Sequence, residues 1–319
     1  MAFDVAELVA RARDGDHRSV ARLISLIESS SPQLREVTAA LAPHAGAAEV
    51  IGLTGSPGVG KSTTTSALLT AYRAAGKRVG VLAVDPSSPF SGGALLGDRV
   101  RMQDHATDPG VYIRSMGTRG HLGGLAWATP QAVRVLDAAG CDVVIVETVG
   151  VGQAEVEIAS LADTTVVLLA PGMGDGIQAA KAGILEIADV FVVNKADRDD
   201  ADHTVRDLRT MMSLAESPDP GAWKPPIVKT IASQGEGSDA LVEAIARHRE
   251  WLLSSGQLER RRRARIADEI EAIAVTAVRE RFSDLRGGAA LDALADRVLS
   301  GSTDPYAAAD ELVAAASAE

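Results

Sequence analysis

The residues with the clearest chemistry run from 55 to 62, Gly-Ser-Pro-Gly-Val-Gly-Lys-Ser. Gly55-x-x-x-x-Gly60-Lys61-Ser62 follows an apolar, β-prone run (Val50, Ile51, Leu53) and precedes a helical pattern through Leu68 and Leu69. A strand, a glycine-rich turn and a helix in that order form a phosphate-binding loop. Gly55, Gly58 and Gly60 reach backbone angles closed to other residues, so successive N–H groups can turn inward around an anion. The stretch from Gly55, Ser56, Pro57, Gly58, Val59 and Gly60 to Lys61, Ser62 and Thr63 is therefore expected to wrap a phosphate chain. The new helix adds its positive N-terminal end. Lys61 reaches the β- and γ-phosphates, and the Ser62 hydroxyl serves Mg²⁺. An ordinary glycine turn is the weaker reading, because every fixed position is matched in the right context.

A second group identifies the base. Asn194-Lys195-Ala196-Asp197 follows an apolar run at 190–193. A carboxylate at Asp197 can accept from guanine N1–H and from its exocyclic amine. Adenine offers neither donor there, and losing such a match discriminates by several powers of ten. Asn194 can bond guanine's other edge, and the Lys195 stem can lie over ring and ribose. The segment 230–233 follows the next apolar run and offers the Ala232 backbone to the guanine carbonyl. The nucleotide expected is GTP or GDP.

Three acidic residues are candidates for the metal shell beside Ser62. Glu147 ends an apolar run at 143–146, Asp85 ends one at 79–84, and Asp98 lies in a glycine-rich loop. Magnesium next to phosphates keeps several waters, which carboxylates can hold. Asp85 and Asp98 could instead cap turns. Gly150 is the expected backbone donor to the γ-phosphate. Gln153 is a candidate for orienting the attacking water, although its offset from Gly150 is unusual. Two further loops follow strands. One spans 115–124 and contains His121, read as a hydrogen-bonded loop residue. The other spans 171–176, with Gln178 and Lys181 beyond it.

These residues need a scaffold. From 50 to about 251, apolar runs at 50–54, 79–84, 111–114, 143–146, 165–170, 190–193 and 227–231 alternate with helical patterns. Runs apolar throughout suit strands buried on both faces of a parallel sheet. Ligands of such sheets bind beyond the carboxyl ends of the strands, where the candidates lie. The expected fold is therefore α/β, a P-loop nucleotide domain at 49–254 with a mostly parallel sheet flanked by helices. Helical extensions are expected at 1–48 and 255–319. The first carries apolar stripes at Val5, Leu8, Val9 and Ala12, at Val20, Leu23, Ile24 and Ile27, and at Leu34, Val37 and Leu41. Pro32 is positioned to open the third helix. The second carries Ile266, Ile270, Ile273 and Val278 on one side, a break at 284–288 and two shorter helices. Such an arm suits oligomerisation or packing back on its own domain.

The chain has 319 residues and a net charge of −11, which gives no support for a nucleic-acid partner. The arginine run at 260–263 reads as a solvated helix face. A single cysteine, Cys141, excludes an intrachain disulfide and suits a reducing compartment. The first residues are too acidic and polar for a secretory signal, and no apolar run spans a bilayer. A cytoplasmic protein with no membrane partner is expected.

The motifs at 55–63, 84–88 (Val-Asp-Pro-Ser-Ser), 96–102 (Leu-Gly-Asp-Arg-Val-Arg-Met), 119–124 (Arg-Gly-His-Leu-Gly-Gly), 147–153 (Glu-Thr-Val-Gly-Val-Gly-Gln) and 194–197 occur together in this order. The set resembles the MeaB/ArgK-type GTPases, chaperones of methylmalonyl-CoA mutase, and the likeness runs over almost the whole chain. The resemblance implies a GTPase of the signal-recognition-like class, homodimeric through its C-terminal arm. It implies an adenosylcobalamin-dependent mutase as partner, with the GTPase gating cofactor loading and protecting the mutase. It also implies a switch at the loop 172–181, with Asp175, Gln178 and Lys181 as its polar residues and Lys181 among the catalytic candidates with Lys61, Glu147 and Gln153. Ile231 departs from the family pattern, where a serine is common. Two other readings share the nucleotide fold. A nickel metallochaperone needs Cys/His ligands, and no Cys-x-His or His-rich stretch is present. An amino-acid transport-related ATPase or kinase conflicts with the guanine-selective Asn-Lys-x-Asp.

Overall fold

The computed structural model describes residues 4–29, 31–85, 105, 107–117, 128–148, 154–172, 184–214, 219, 221–283 and 289–317. The chain forms two compact units, Met1–Leu258 and Glu259–Glu319.

The first unit is built on a seven-stranded sheet, all of its pairings parallel. Its strands are β1 (Glu49–Thr54), β2 (Val79–Asp85), β3 (Val111–Gly117), β4 (Val143–Thr148), β5 (Thr164–Leu169), β6 (Val190–Asn194) and β7 (Ile227–Thr230). Each expected strand is present. Their order is β3-β2-β4-β1-β5-β6-β7. The chain thus lays strands outward on one side of β1, returns, and continues on the other side. That reversal opens a crevice beyond the carboxyl ends of the central strands. In register, Leu53 lies beside Glu147 and Thr54 beside Val167, so the turn after β1 and the end of β4 are neighbours. β1, β4, β5 and β6 are buried along their whole length, as continuous apolar runs require.

Helices α1 (Val5–Arg13), α2 (His17–Glu28) and α3 (Leu34–Leu41) precede the sheet. The side chains of Asp4 and Asp16 cap α1 and α2, accepting from the N–H groups of Glu7 and Arg18. The third helix opens after Gln33, slightly later than a start at Pro32. The expected stripes are buried at Val5, Val9, Ala12, Val20, Leu23, Ile24, Ile27, Val37 and Leu41, and they join Leu82, Val84, Val144 and Val146 in one core. Helix α5 (Ala128–Ala138) belongs to the same layer. Its Asp137 carboxylate accepts from the N–H groups of Gly46, Ala47 and Ala48, which pins the segment entering β1.

The opposite face is covered by α4 (Lys61–Ala74) and α9 (Ser238–Ser254), whose Leu68, Leu69, Leu241 and Ile245 meet Ile51, Leu53, Ile145 and Val166. Between them in sequence, after α5, come α6 (Ala154–Leu161), α7 (Ile184–Ile187) and α8 (Ala201–Leu214). Gly52 lets α6 close on β1, because an added Cβ would stand 2.6 Å from Ile158 Cγ1. His248 seats α9 in the interior. Its Nδ1 lies 2.9 Å from Thr164 Oγ1 and its Nε2 3.2 Å from Asp189 Oδ1.

Helix α10 (Gln257–Ser283) leads into the second unit, which holds α11 (Ala289–Leu299) and α12 (Pro305–Ser317). Arg297 joins α11 to α12 through two bonds to Glu311, at 2.7 and 3.0 Å. Along α10, Ile266, Ile270, Ile273 and Val278 are all exposed, each by half or more. The break expected at 284–288 lies outside the described residues. Among the described residues, no helix is long and apolar enough to cross a membrane.

Candidate nucleotide site

The turn between β1 and α4 is held open by its glycines. Gly55, Gly58 and Gly60 have φ of 137°, 81° and 99°. A Cβ on Gly55 would stand 2.3 Å from the Leu168 carbonyl, and one on Gly60 2.3 Å from Asn194 Nδ2. Both positions therefore need glycine twice over, for the angle and for the space.

Among the described residues, three side chains donate to carbonyls of this loop. Lys61 Nζ donates to Gly55 O at 2.6 Å and to Ser56 O at 3.1 Å. Lys195 Nζ donates to Gly58 O at 2.7 Å, and Asn194 Nδ2 to Val59 O at 2.8 Å. With the carbonyls engaged in this way, the backbone presents its N–H side and the start of α4 to an anion. Lys61 is itself 7% exposed, so its charge is concentrated at the loop rather than spread into solvent.

Glu147 sits beneath the loop at the end of β4, only 3% exposed. Its Oε1 accepts from Ser62 Oγ at 2.6 Å and its Oε2 from Thr65 Oγ1 at 2.8 Å. The hydroxyls of Thr148 and Thr54 lie 3.2 Å apart and join the ends of β4 and β1. Ser62 and Glu147 thus form a paired oxygen donor set at the start of α4. Among the described residues no group of three or more His, Cys, Asp and Glu side chains could hold a metal alone. The donors fit an ion that brings phosphate oxygens and water with it, as Mg²⁺ does. Asp85 closes β2, its backbone level with Gly117 of β3. Asp98, Gly150, Gln153, Asp175, Gln178 and Lys181 lie outside the described residues, as do 118–127 with His121.

Asn194 does more than the sequence suggested. It is 3% exposed, and its Oδ1 accepts from Thr230 Oγ1 and from the Ala232 N–H, each at 3.1 Å. Its amide thereby ties β6 to the phosphate loop and to the segment after β7. Its second amide hydrogen has no partner among the described residues. The Ala232 N–H, which the sequence offers to the guanine carbonyl, donates here to Asn194 Oδ1. Lys195 takes the left-handed conformation, φ 58°, at a cost of about 1 kcal/mol for a residue with a Cβ. Its turn is tied down by bonds from Ala196 N–H to Thr230 O (3.0 Å) and Arg198 N–H to Lys195 O (3.1 Å). Asp197 is exposed on this turn.

The sequence reading gave no role to the hydroxyls of Thr65, Thr148 and Thr230. A signal existed for Thr65. It lies three residues after Ser62 on the same helix face, opposite a strand that ends in an acid.

Comparison with known proteins gives the family and a fold match. Residues 20–286 match the family described as methylmalonyl-CoA mutase-associated GTPase MeaB. A Pyrococcus abyssi protein designated by its GTPase class alone is 48% identical over 312 residues, covering 97% of this chain and 96% of its own. The GTPase ArgK of Escherichia coli is 38% identical over 265 residues, 80% of this chain and 79% of its own. A crystal structure described as a LAO/AO transport system kinase superposes with a TM-score of 0.70 at 27% identity, covering 98% of both chains. With a family match over residues 20–286 and relatives 38–48% identical over most of its length, this chain belongs to the methylmalonyl-CoA mutase-associated GTPase family, MeaB.

Proposed function

We propose that this chain hydrolyses GTP to GDP and phosphate with Mg²⁺, in partnership with an adenosylcobalamin-dependent methylmalonyl-CoA mutase. In that partnership it gates cofactor loading and protects the mutase. The observation carrying the nucleotide reading is the bond from Asn194 Nδ2 to Val59 O, 2.8 Å, which sets the Asp197 turn at a fixed offset from the phosphate loop. Asp197 accepts from the two guanine donors, and ATP would leave that carboxylate unmatched. Lys61 balances charge on the β- and γ-phosphates, and the loop amides bond their oxygens. Ser62 and Glu147 hold the cation side, with Asp85 and Asp98 assigned to its waters. Bound Mg²⁺ supplies charge neutralisation across the phosphates. Gly150 is assigned to the γ-phosphate and Gln153 to the attacking water.

The partner reading rests on the family description and on the loop that follows β5. We assign the switch to 172–181, with Asp175, Gln178 and Lys181 delivering polar contacts to the mutase. Gly172, at φ 82°, gives the chain its turn into that loop. The exposed stripe Ile266, Ile270, Ile273 and Val278 supports a homodimer formed through the arm at 255–319. The compartment proposed is the cytoplasm, with neither nucleic acid nor membrane as partner.

Phosphate release from GTP and from ATP, with and without a cognate mutase, tests both halves. The expected result is turnover of GTP in preference to ATP, raised by the mutase. Equal turnover of the two nucleotides overturns the guanine reading. Absence of stimulation, together with no co-purification in the presence of a GTP analogue, overturns the partner. The likeness to a protein described as a LAO/AO transport system kinase favours one second reading, transfer of phosphate to an amino acid. Phosphate release that falls when arginine or ornithine is added, with a phosphorylated product, would favour it.

A further inference from the structure

The Glu147 carboxylate is held by two hydroxyls of a single helix. Ser62 donates to Oε1 at 2.6 Å, and Thr65 donates to Oε2 at 2.8 Å. Residues three apart on a helix share a face, so α4 presents both hydroxyls to one strand end. Glu147 stands beside Leu53 on one side of β4 and Ala83 on the other. Both side chains are buried, with Thr65 0% and Glu147 3% exposed.

A carboxylate gripped at one oxygen can still turn about its terminal torsion, which is broad. Gripping the second oxygen fixes its plane. The hydrogen of the Ser62 hydroxyl is spent on Oε1, which directs the lone pairs of Ser62 Oγ away from the carboxylate. A cation approaching from the phosphate side then meets Ser62 Oγ and Glu147 Oε1 in one orientation. Without Thr65, Oε2 would be a buried charged acceptor with one donor fewer, and the carboxylate would turn to recover it.

We propose that Thr65 is a positioning residue of the magnesium site, fixing the plane of Glu147 so that it and Ser62 face one cation. The proposal rests on the nucleotide reading above and assigns that site a residue which the phosphate-loop motif does not include. Hydrogen-bonding partners of metal-binding carboxylates typically account for 10–100-fold in metal affinity. A threonine that only packed the core would alter stability and leave the metal response unchanged.

The test compares the natural protein with Thr65→Val, which keeps the shape and removes the hydroxyl, and Thr65→Ser, which keeps the hydroxyl and removes the methyl. Affinity for a fluorescent ribose-labelled GTP is measured in EDTA and then over a Mg²⁺ titration. The expected result is an affinity in EDTA within about twofold for all three proteins, with Thr65→Val needing about tenfold more Mg²⁺ for its half-maximal gain. Thr65→Ser follows the natural curve. If Thr65→Val does not fold, Thr65→Ala carries the same expectation. A Thr65→Val titration that overlays the natural one overturns the proposal, as does a Thr65→Ser shift as large as that of Thr65→Val. A natural protein that binds no labelled GTP at all overturns the nucleotide reading instead.

Discussion

Asn194 Nδ2 donates to the carbonyl of Val59 at 2.8 Å, joining residues 135 apart in sequence. The same side chain accepts from Thr230 Oγ1 and the Ala232 N–H. One buried amide thus links the loop that would hold phosphates to the two segments that would hold a base. Replacing Asn194 with Ala leaves three polar groups without their partner. Each such loss costs on the order of 1–3 kcal/mol where water cannot enter. Urea unfolding is expected to report a loss of at least about 3 kcal/mol, with GTP affinity falling at least tenfold. Unchanged stability and affinity would remove the linking role.

Asp197 is exposed on the turn after β6, where its carboxylate is available to a ligand. Asp197→Asn should weaken GTP binding by about a hundredfold or more and favour xanthosine triphosphate, whose ring carries a carbonyl in place of the guanine amine. Competition between the two nucleotides checks it. A variant that still prefers GTP would take base selection away from this residue.

Gly60 combines φ 99° with an approach that would put a Cβ 2.3 Å from Asn194 Nδ2. Gly60→Ala therefore meets backbone strain of about 1–3 kcal/mol and a displaced Asn194 together. The variant is expected to melt lower and to bind neither GTP nor GDP at concentrations that saturate the natural protein. Calorimetry of both ligands decides the matter, and normal binding would contradict it.

Cys141 is buried, and that burial pushes its thiol up to about 12 despite the opposing pull of Arg78. The folded chain holds this proton more tightly than the unfolded chain, whose thiol loses it near 8.5. The stability it contributes is fully present below about 8.5 and is lost as pH rises through about 12. An aromatic disulfide reagent at pH 8 should leave the native protein unlabelled and label one thiol in guanidinium. Rapid labelling of the native protein would show the thiol to be accessible.

The stripe on α10 leaves Ile266 50%, Ile270 63% and Ile273 50% exposed. If a second copy covers it, Ile270→Glu with Ile273→Glu should convert a dimer into a monomer without lowering the melting temperature of the nucleotide unit. Light scattering at micromolar concentration reads the mass. A natural protein already monomeric there ends the proposal.

What the sequence determined by itself was local. A glycine turn between a β-prone run and a helix needs only its neighbours to form, and the phosphate loop at 55–62 has φ values at Gly55, Gly58 and Gly60 that only such residues adopt readily. The seven apolar runs became the seven strands because continuous apolar segments must be buried on both faces. The amphipathic stripes from Val5 to Leu41 became helices on one face of that sheet for a similar reason. Strand order was decided only by the tertiary structure, because periodicity carries no information on which strand lies beside which. Inserting β4 between β2 and β1 brought Glu147 to Ser62 and Thr65, across 85 and 82 residues. Setting β6 and β7 side by side brought Asn194 to the Thr230 hydroxyl and the Ala232 N–H, both of which donate to its Oδ1. Hydrogen bonds of this kind depend on ångström-scale approach between distant segments, which residue type and spacing along the chain cannot specify.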